Sequence, residues 1–532
     1  MAFVSALSSQ GQTSQIAHVY TTTSDRSQSM TLTALSPQGN STTDAIVITN
    51  RQNQEIDGYG YAITYASCYN LLERMSAQQR HELLERTFSH TNGYGVSYVR
   101  ISIGCNDFSS DEYTLCDAKG DRSDLLQHFR LHSDEINYVI PVLKEIIAIN
   151  PDIKIIAAPW TPPRWMKYEN NDPSQTSTSW TGGRLHPDFF MTYGEYFVKF
   201  IRTMESYGIR IHAVSPQNEP LNSGNSASMW MPWDDEAGFV SKGLAPALHN
   251  AGLKTKIYIY DHNYNYDNGP WGNDDYVRKV YNQMGTGFVG EELVAGSCWH
   301  NYGGQLKDIA NDIVWGRQDK ELLFSEASIG QWNDGRNLNA RLAYEMDELI
   351  IGPALHRFRG SLVWNFMLDS NGAPNRPKGC TTCYGAIDLM LDDARSEPRL
   401  SYNSHYYIMA HASAVIKPGA HRVDTDGWWT EGLSYAAFHN PDNTSAILFS
   451  NNGDKNLNVN VNTDNHTYTV AVPAKSVVSM RMGLDPDLTG VDGVAVDTDN
   501  EPVSLYDLQG RLARHPVAGR LYITSKGEKI IF

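Results

Sequence analysis

Eight short, β-prone and mostly apolar runs recur between residues 57 and 366, and the stretches between them carry helical spacing. The runs cover residues 57–64, 96–103, 153–158, 211–214, 256–260, 294–298, 321–326 and 362–366. Two parallel strands need a crossover of roughly a dozen residues or more, usually a helix, and these gaps supply it. Eight such units predict an α/β fold, the (β/α)8 TIM barrel, in which chemistry gathers at the C-terminal strand ends. Individual helices are legible too. Ser76, with Gln79 three residues on, reads as a capping box. Between residues 133 and 150 the apolar side chains Ile136, Val139, Ile140, Leu143 and Ile147 keep helical spacing, and Pro141 predicts a kink or split there.

Two of the eight runs end in a lone glutamate. The fourth, Ile211-His212-Ala213-Val214, leads through Ser215-Pro216-Gln217-Asn218 to Glu219 and Pro220. A proline disfavours the helical region for the residue before it, so Glu219 is expected to be extended. The seventh, Leu322-Leu323-Phe324-Ser325, delivers Glu326. One strand-end carboxylate alone fits a solvated surface charge equally well. Two of them at the mouth of one barrel fit glycosidic bond cleavage, which needs an acid and either a nucleophile or a base on either side of a sugar. The acid must hold a proton near neutral pH, and burial beside aromatic rings plus the charge of a partner carboxylate would raise its pKa. Asn218, next to that acid, is placed to hydrogen-bond a sugar hydroxyl.

The barrel is expected to span residues 56–400. Residues 1–55 and 401–484 instead alternate short β-prone segments with Ser, Asn, Asp and Gly turns, which predicts a flanking antiparallel β-sandwich built from both ends of the chain. Residues 485–532 change composition again and read as a small appended β element that resembles the tails of some secreted bacterial enzymes.

The net charge of −17 argues against nucleic acid as a partner. No run of about twenty apolar residues suggests a membrane span. Tyr (29) and Trp (12) together far outnumber Phe (16), a balance that suits a surface facing sugars, although large cores also use Trp. Cys380 and Cys383 have metal-like spacing, but no second Cys pair completes a four-ligand zinc site, which leaves a local disulfide or two free thiols. Cys105 and Cys116 could likewise close a loop.

Several motifs together resemble glycoside hydrolase family 30, which contains glucosylceramidases and β-1,6-glucanases. They are Asp57-Gly58-Tyr59-Gly60, Cys105-Asn106-Asp107-Phe108-Ser109, Trp160-Thr161-Pro162-Pro163-Arg164-Trp165-Met166-Lys167, Gln217-Asn218-Glu219-Pro220, Phe324-Ser325-Glu326-Ala327 and His300-Asn301-Tyr302-Gly303-Gly304. Residues 229–232 and Trp364-Asn365 extend the likeness, which covers roughly residues 56–478. It implies a retaining β-glycosidase in which Glu326 is the nucleophile and Glu219 the acid and then the base. Asp107, Trp160, Asn218, His300, Tyr302 and Trp364 would hold the sugar, and the Trp364–Asn365 peptide would be cis. Each has a plainer alternative: Asp107 as a cap, the two Trp as core, His300 as a structural histidine, Tyr302 as an orienter of Glu326. Tyr65 and Asn301 depart from the family pattern near the mouth and bear on substrate rather than reaction. The loop 261–266, polar and aromatic, reads as a leaving-group subsite or a hydrated lid.

The expectation is therefore a secreted, periplasmic or cell-surface bacterial enzyme, monomeric, acting on β-glucan and above all on β-1,6 links. Two carboxylates suffice, so neither cofactor nor metal is implied. A glucosylceramidase-like or xylan-directed hydrolase is the alternative among enzymes, and an inactive carbohydrate-binding protein the alternative outside them.

Overall fold

The computed structural model describes residues 15–38, 44–265, 275–391, 398–463 and 466–484, with three short strands between 505 and 531. Eight parallel strands close a barrel in chain order: Gly58–Ala62, Tyr98–Ser102, Lys154–Ala158, Ala213–Val214, Lys256–Asn263, Val294–His300, Glu321–Glu326 and Phe358–Asn365. The last pairs with the first. Tyr98, Ile156, Ala213, Tyr258, Cys298, Leu323 and Leu362 form a small core from seven of these strands. The glycines of the first strand have a steric reason. A Cβ on Gly60 would lie 1.6 Å from the carbonyl oxygen of Tyr98, so no other residue fits this close strand approach.

Local departures from the sequence expectation have identifiable causes. Only Ala213–Val214 of the fourth run joins the ladder. The helix expected over 133–150 is split into a π-type segment, Glu135–Val139, and an α-helix, Ile140–Ile149. Pro141 stands in the first turn of the second piece, where its missing N–H costs nothing. Ser76 does cap its helix, accepting from the Gln79 N–H at 3.1 Å. Gln79, however, turns its amide to the Pro398 carbonyl, so only half of a capping box forms. The fifth strand runs on to Asn263 instead of ending at Tyr260, through a register shift at Tyr260–His262 where Tyr260 and Asp261 both take positive φ. That bulge re-aims Asp261, a common use of bulges beside active sites.

The flanking β-sandwich is one continuous nine-stranded sheet in the order Thr31–Leu35, Ile16–Thr23, Ser476–Leu484, Ser445–Asn451, Leu433–His439, His421–Gly427, Ile46–Glu55, Leu457–Asn462, Thr467–Val472. Its pairings are antiparallel except for one parallel pair, Ile46–Glu55 with Leu457–Asn462. It encloses a core that includes Val19, Ile46, Phe449, Val459 and Met480. The fully buried helix Ser404–Val415 links barrel and sheet: His411 bonds Ser479 on one ring nitrogen and Thr22 on the other, both at 2.8 Å. Near the C-terminus, Leu505–Tyr506, Leu521–Thr524 and Lys529–Ile531 pair into a three-stranded antiparallel sheet. Among the described residues no helix is long and apolar enough to cross a membrane. Cys380 and Cys383 form a disulfide, whereas Cys105 and Cys116 are free and buried.

Candidate active site

The ends of strands two to eight and the loops that follow them frame a pocket of about 590 Å³ at the C-terminal mouth of the barrel. Its lining includes Asp107, Trp160, Asn218, Glu219, Tyr302, Glu326 and Trp364. Seven of the eight residues singled out from sequence therefore meet in one place. His300 does not line the pocket. It is fully buried behind it, with Nε2 3.0 Å from Asp261 and Nδ1 3.5 Å from Glu219.

Glu219 is not extended. Its φ is +48°, a conformation that costs a non-glycine residue roughly 1–3 kcal/mol. The surrounding bonds hold it there. Its N–H donates to the Asp261 carbonyl at 3.0 Å, and its own carbonyl accepts from Asn222 N–H at 2.9 Å. The side-chain amides of Asn222 and Asn225 donate to its Oε2 at 2.7 and 3.0 Å. Pro220 disfavours the right-handed helical region, and this network holds the left-handed one.

Glu326 is held from two sides. Arg100 donates to Oε2, and the Tyr302 hydroxyl donates to Oε1 at 2.9 Å. Arg100 is fully buried on the second strand and also binds Asn218 Oδ1 at 2.7 Å and Asp261 Oδ2 at 2.8 Å. Its guanidinium lies 5.1 Å from the Trp160 ring and 5.5 Å from that of Trp364. The two indoles stand 5.3 Å apart. Because Arg100 occupies Asn218 Oδ1, the amide nitrogen is the end left to donate to a ligand.

The charges form a linked set. Burial pushes the Glu219 carboxyl up, but the His300 hydrogen bond, the His262 and His300 charges and the Asn222 bond together pull it down to about 2. His300 moves the opposite way: burial lowers it, and Glu326, Asp261 and Glu219 more than offset that, raising it to about 9. The expectation of a raised acid pKa is thus reversed, because a cationic histidine and two amides lie against Glu219. Burial also raises Glu326, against the His300 and Arg100 charges. With donors on both oxygens it is held as a carboxylate. Asp107 is pushed up to about 7 by burial and by the charges of Glu219 and Glu326, and its buried Oδ1 has no protein partner. Asp107 lines the pocket, so its carboxyl is a ready hydrogen-bonding group for a sugar hydroxyl.

Arg100, Asn222 and Asn225 escaped the sequence reading, although a lone arginine inside the run Tyr98-Val99-Arg100-Ile101 was a usable signal, and Asp261 and His262 were legible only as part of the loop 261–266. Trp332 is a further lining residue, 52% exposed at the rim. A Cβ on Gly330 would sit 2.0 Å from that indole and 2.5 Å from the Thr382 carbonyl, so the glycine lets the ring lie against the backbone next to the disulfide loop. Asp261–Asn263 belong to the fifth strand, not to a lid. His262 lines the pocket, and of the remaining loop 266 lies outside the described residues. Tyr65 and Asn301 do not line the pocket, and Tyr65 packs on Tyr138 at 5.0 Å instead. The Trp364–Asn365 bond is trans; the cis peptide among the described residues is Ala373–Pro374. Glu219, His262 and His300 bring one ligand atom each within 4.8 Å of the others, close enough to hold a divalent cation.

Arg100 joins three groups in a fully buried place, so its loss leaves the Asp261 and Glu326 carboxylates with His300 as their remaining nearby cation. Arg100→Met is expected to destabilise the fold by about 3–5 kcal/mol, read as a lowered urea midpoint. A wild-type midpoint would show that the ion-pair set does not form.

A closed parallel barrel presenting paired carboxylates, indoles and amides in one mouth pocket defines a glycoside hydrolase. Residues 56–416 match the glycosyl hydrolase family 30 TIM-barrel domain, and residues 419–480 match that family's β-sandwich domain. The chain belongs to glycosyl hydrolase family 30. It is 27% identical over 413 residues to an endo-1,6-β-D-glucanase of Trichoderma harzianum, covering 75% of this chain and 78% of that protein. It is 24% identical over 447 residues to the lysosomal acid glucosylceramidase of Mus musculus, covering 81% and 82%. The solved structure of the endo-β1,6-glucanase BT3312 superposes with a TM-score of 0.82 at 45% identity, covering 87% of this chain and 98% of that one.

Proposed function

We propose that this chain is a retaining endo-β-1,6-glucanase in which Glu326 is the nucleophile and Glu219 the acid and then the base. The observation that carries this reading is the convergence of both glutamates on one pocket, each held by its own donors. Glu326, fixed by Arg100 and Tyr302, attacks the anomeric carbon while the bond to the leaving oxygen breaks. In the free site the proton needed by that oxygen resides on His300 Nδ1, which faces Glu219 Oε1. It passes to Glu219 and from there to the leaving oxygen, leaving His300 neutral with its Nε2–H on Asp261. Water then attacks the glycosyl–Glu326 ester. Glu219 takes its proton, Glu326 departs as a carboxylate, and two inversions give net retention.

Trp160 and Trp364 offer apolar ring faces, and Asp107 and Asn218 offer hydrogen bonds to hydroxyls. The rim carries Asn222, Asn225, Asn263 and Lys378, polar groups that suit a polysaccharide better than a lipid tail. A polymeric substrate supports a site of action outside the cytoplasm.

Substrate choice is tested by digesting β-1,6-, β-1,3- and β-1,4-glucan, xylan and glucosylceramide and sizing the products. The reading expects internal cuts in β-1,6-glucan above all others. Preferential release of ceramide or xylo-oligosaccharides would overturn the substrate assignment and leave the reaction type standing.

The His300 bridge also predicts how stability varies with pH. A histidine raised from 6.5 to about 9 contributes stability that is full below pH 6.5 and lost as pH climbs through 9. Glu219, lowered from 4.5 to about 2, contributes above pH 4.5 and loses its share as pH falls through 2. The stability difference between wild type and His300→Gln should therefore shrink between pH 6.5 and 9. A difference that stays flat across that window would remove the protonated bridge.

A further inference from the structure

A second concavity, about 760 Å³, opens beside the pocket. Tyr168, Asn170, Asn171, Arg184, Trp230 and Trp233 are among its lining residues. It is built by the loops that follow the third and fourth barrel strands, both at the C-terminal face. The two hollows share a wall: Ser223 lines this one, and its neighbours Asn222 and Asn225 line the catalytic pocket and bind Glu219. We propose that this groove is a distal subsite that binds the leaving-group side of a glucan chain several units beyond the bond being cut. This rests on the β-glucanase reading above.

Position sets the polarity. The shared wall carries the amides that hold the acid, and the acid faces the leaving oxygen. A chain running out of the pocket past Glu219 therefore enters the groove with its leaving-group portion.

The chemistry of the lining matches a sugar chain. Indole and phenol faces suit the apolar faces of pyranose rings, and amide and guanidinium groups at the edge suit hydroxyls. Charge in the lining is small: Arg184 pairs with Asp235 at 2.8 Å and Asp234 adds one carboxylate, a balance that disfavours an anionic ligand.

The groove is also built in advance of any ligand. Strands Lys167–Glu169, Asp172–Thr176 and Arg184–Leu185 form a small antiparallel sheet outside the barrel. Asn170 and Asn171 both have φ of +54° and make its tight turn, the two-residue type that Asn favours, at the groove edge. The almost fully buried Lys167 ammonium donates to the carbonyls of Gly182, Ser228 and Trp180 at 2.8, 3.2 and 3.4 Å, tying the two loops into one floor. The Trp230 N–H bonds the Gly183 carbonyl at 2.8 Å and adds a further tie. A preformed site avoids the ordering cost that a mobile loop would incur on binding.

The test measures kcat/KM for wild type, Trp230→Ala, Trp233→Ala and the double variant. Substrates are an aryl β-glucoside, β-1,6-linked glucose oligomers from dimer to octamer, and soluble β-1,6-glucan. Trp230→Phe keeps an aromatic face and controls for folding. The expected result is an unchanged aryl glucoside rate with a loss that grows with chain length, about tenfold for the longest substrates, mostly in KM and restored by Phe. Wild type that leaves every β-1,6 chain intact overturns the substrate reading and this inference with it. Wild type that cuts long chains, with variants that cut them equally well or lose activity equally at all lengths, overturns the inference alone.

Discussion

Replacing Glu326 with alanine is expected to lower kcat/KM by about 10⁴-fold or more on every glycoside, because no covalent intermediate can then form. Folding should survive, since Arg100 keeps Asp261 and Asn218 as partners when Glu326 is gone. Circular dichroism and the thermal midpoint check that separately from activity. The variant also leaves a small void beside the anomeric carbon. Azide supplied there, with an activated aryl glucoside, should attack in a single inversion and give an α-configured glycosyl azide. Ordinary turnover in the alanine variant, or a β-configured azide product, would remove Glu326 from the nucleophile's role.

Glu219→Ala separates the two half-reactions. Natural glucan has a poor leaving group that needs a proton as the bond breaks, so its hydrolysis should fall about 10²–10⁴-fold. An aryl glucoside with a good leaving group needs no such help in the first step. It should therefore show a burst of released phenol followed by slow turnover, because water now lacks its base. Azide should speed that second step and give a β-configured product by two inversions. Equal losses on both substrates, with no burst, would contradict the assignment.

The fold was legible because its signals are periodic and local. Eight β-prone runs with helical spacers specify a barrel, and turn-punctuated strands at both ends specify the sheet that joins them. What the residues one by one did not reveal depends on distant neighbours. Glu219 looked extended because Pro220 was the only constraint visible in its vicinity, yet Asp261, Asn222 and Asn225 decide its φ. The acid's pKa looked raised because burial can be anticipated from sequence, whereas a cationic His300 held between Glu219 and Asp261 cannot. Asp261 looked like loop because the bulge that carries it inward leaves no mark on hydrophobic periodicity. The motifs did bring Asp107, Trp160, Asn218, Tyr302 and Trp364 to attention, and all five line the pocket with the two glutamates.

The most direct test of two carboxylates dividing one reaction is to trap the intermediate. Incubation with an activated 2-deoxy-2-fluoro-β-glucoside slows both steps and lets the glycosyl-enzyme accumulate. Peptide mass spectrometry should then find one fluoroglucosyl group per chain, on the peptide bearing Glu326 and on that side chain. A label on Glu219 or elsewhere, or turnover that gives the inverted anomer with no label at all, would contradict the account.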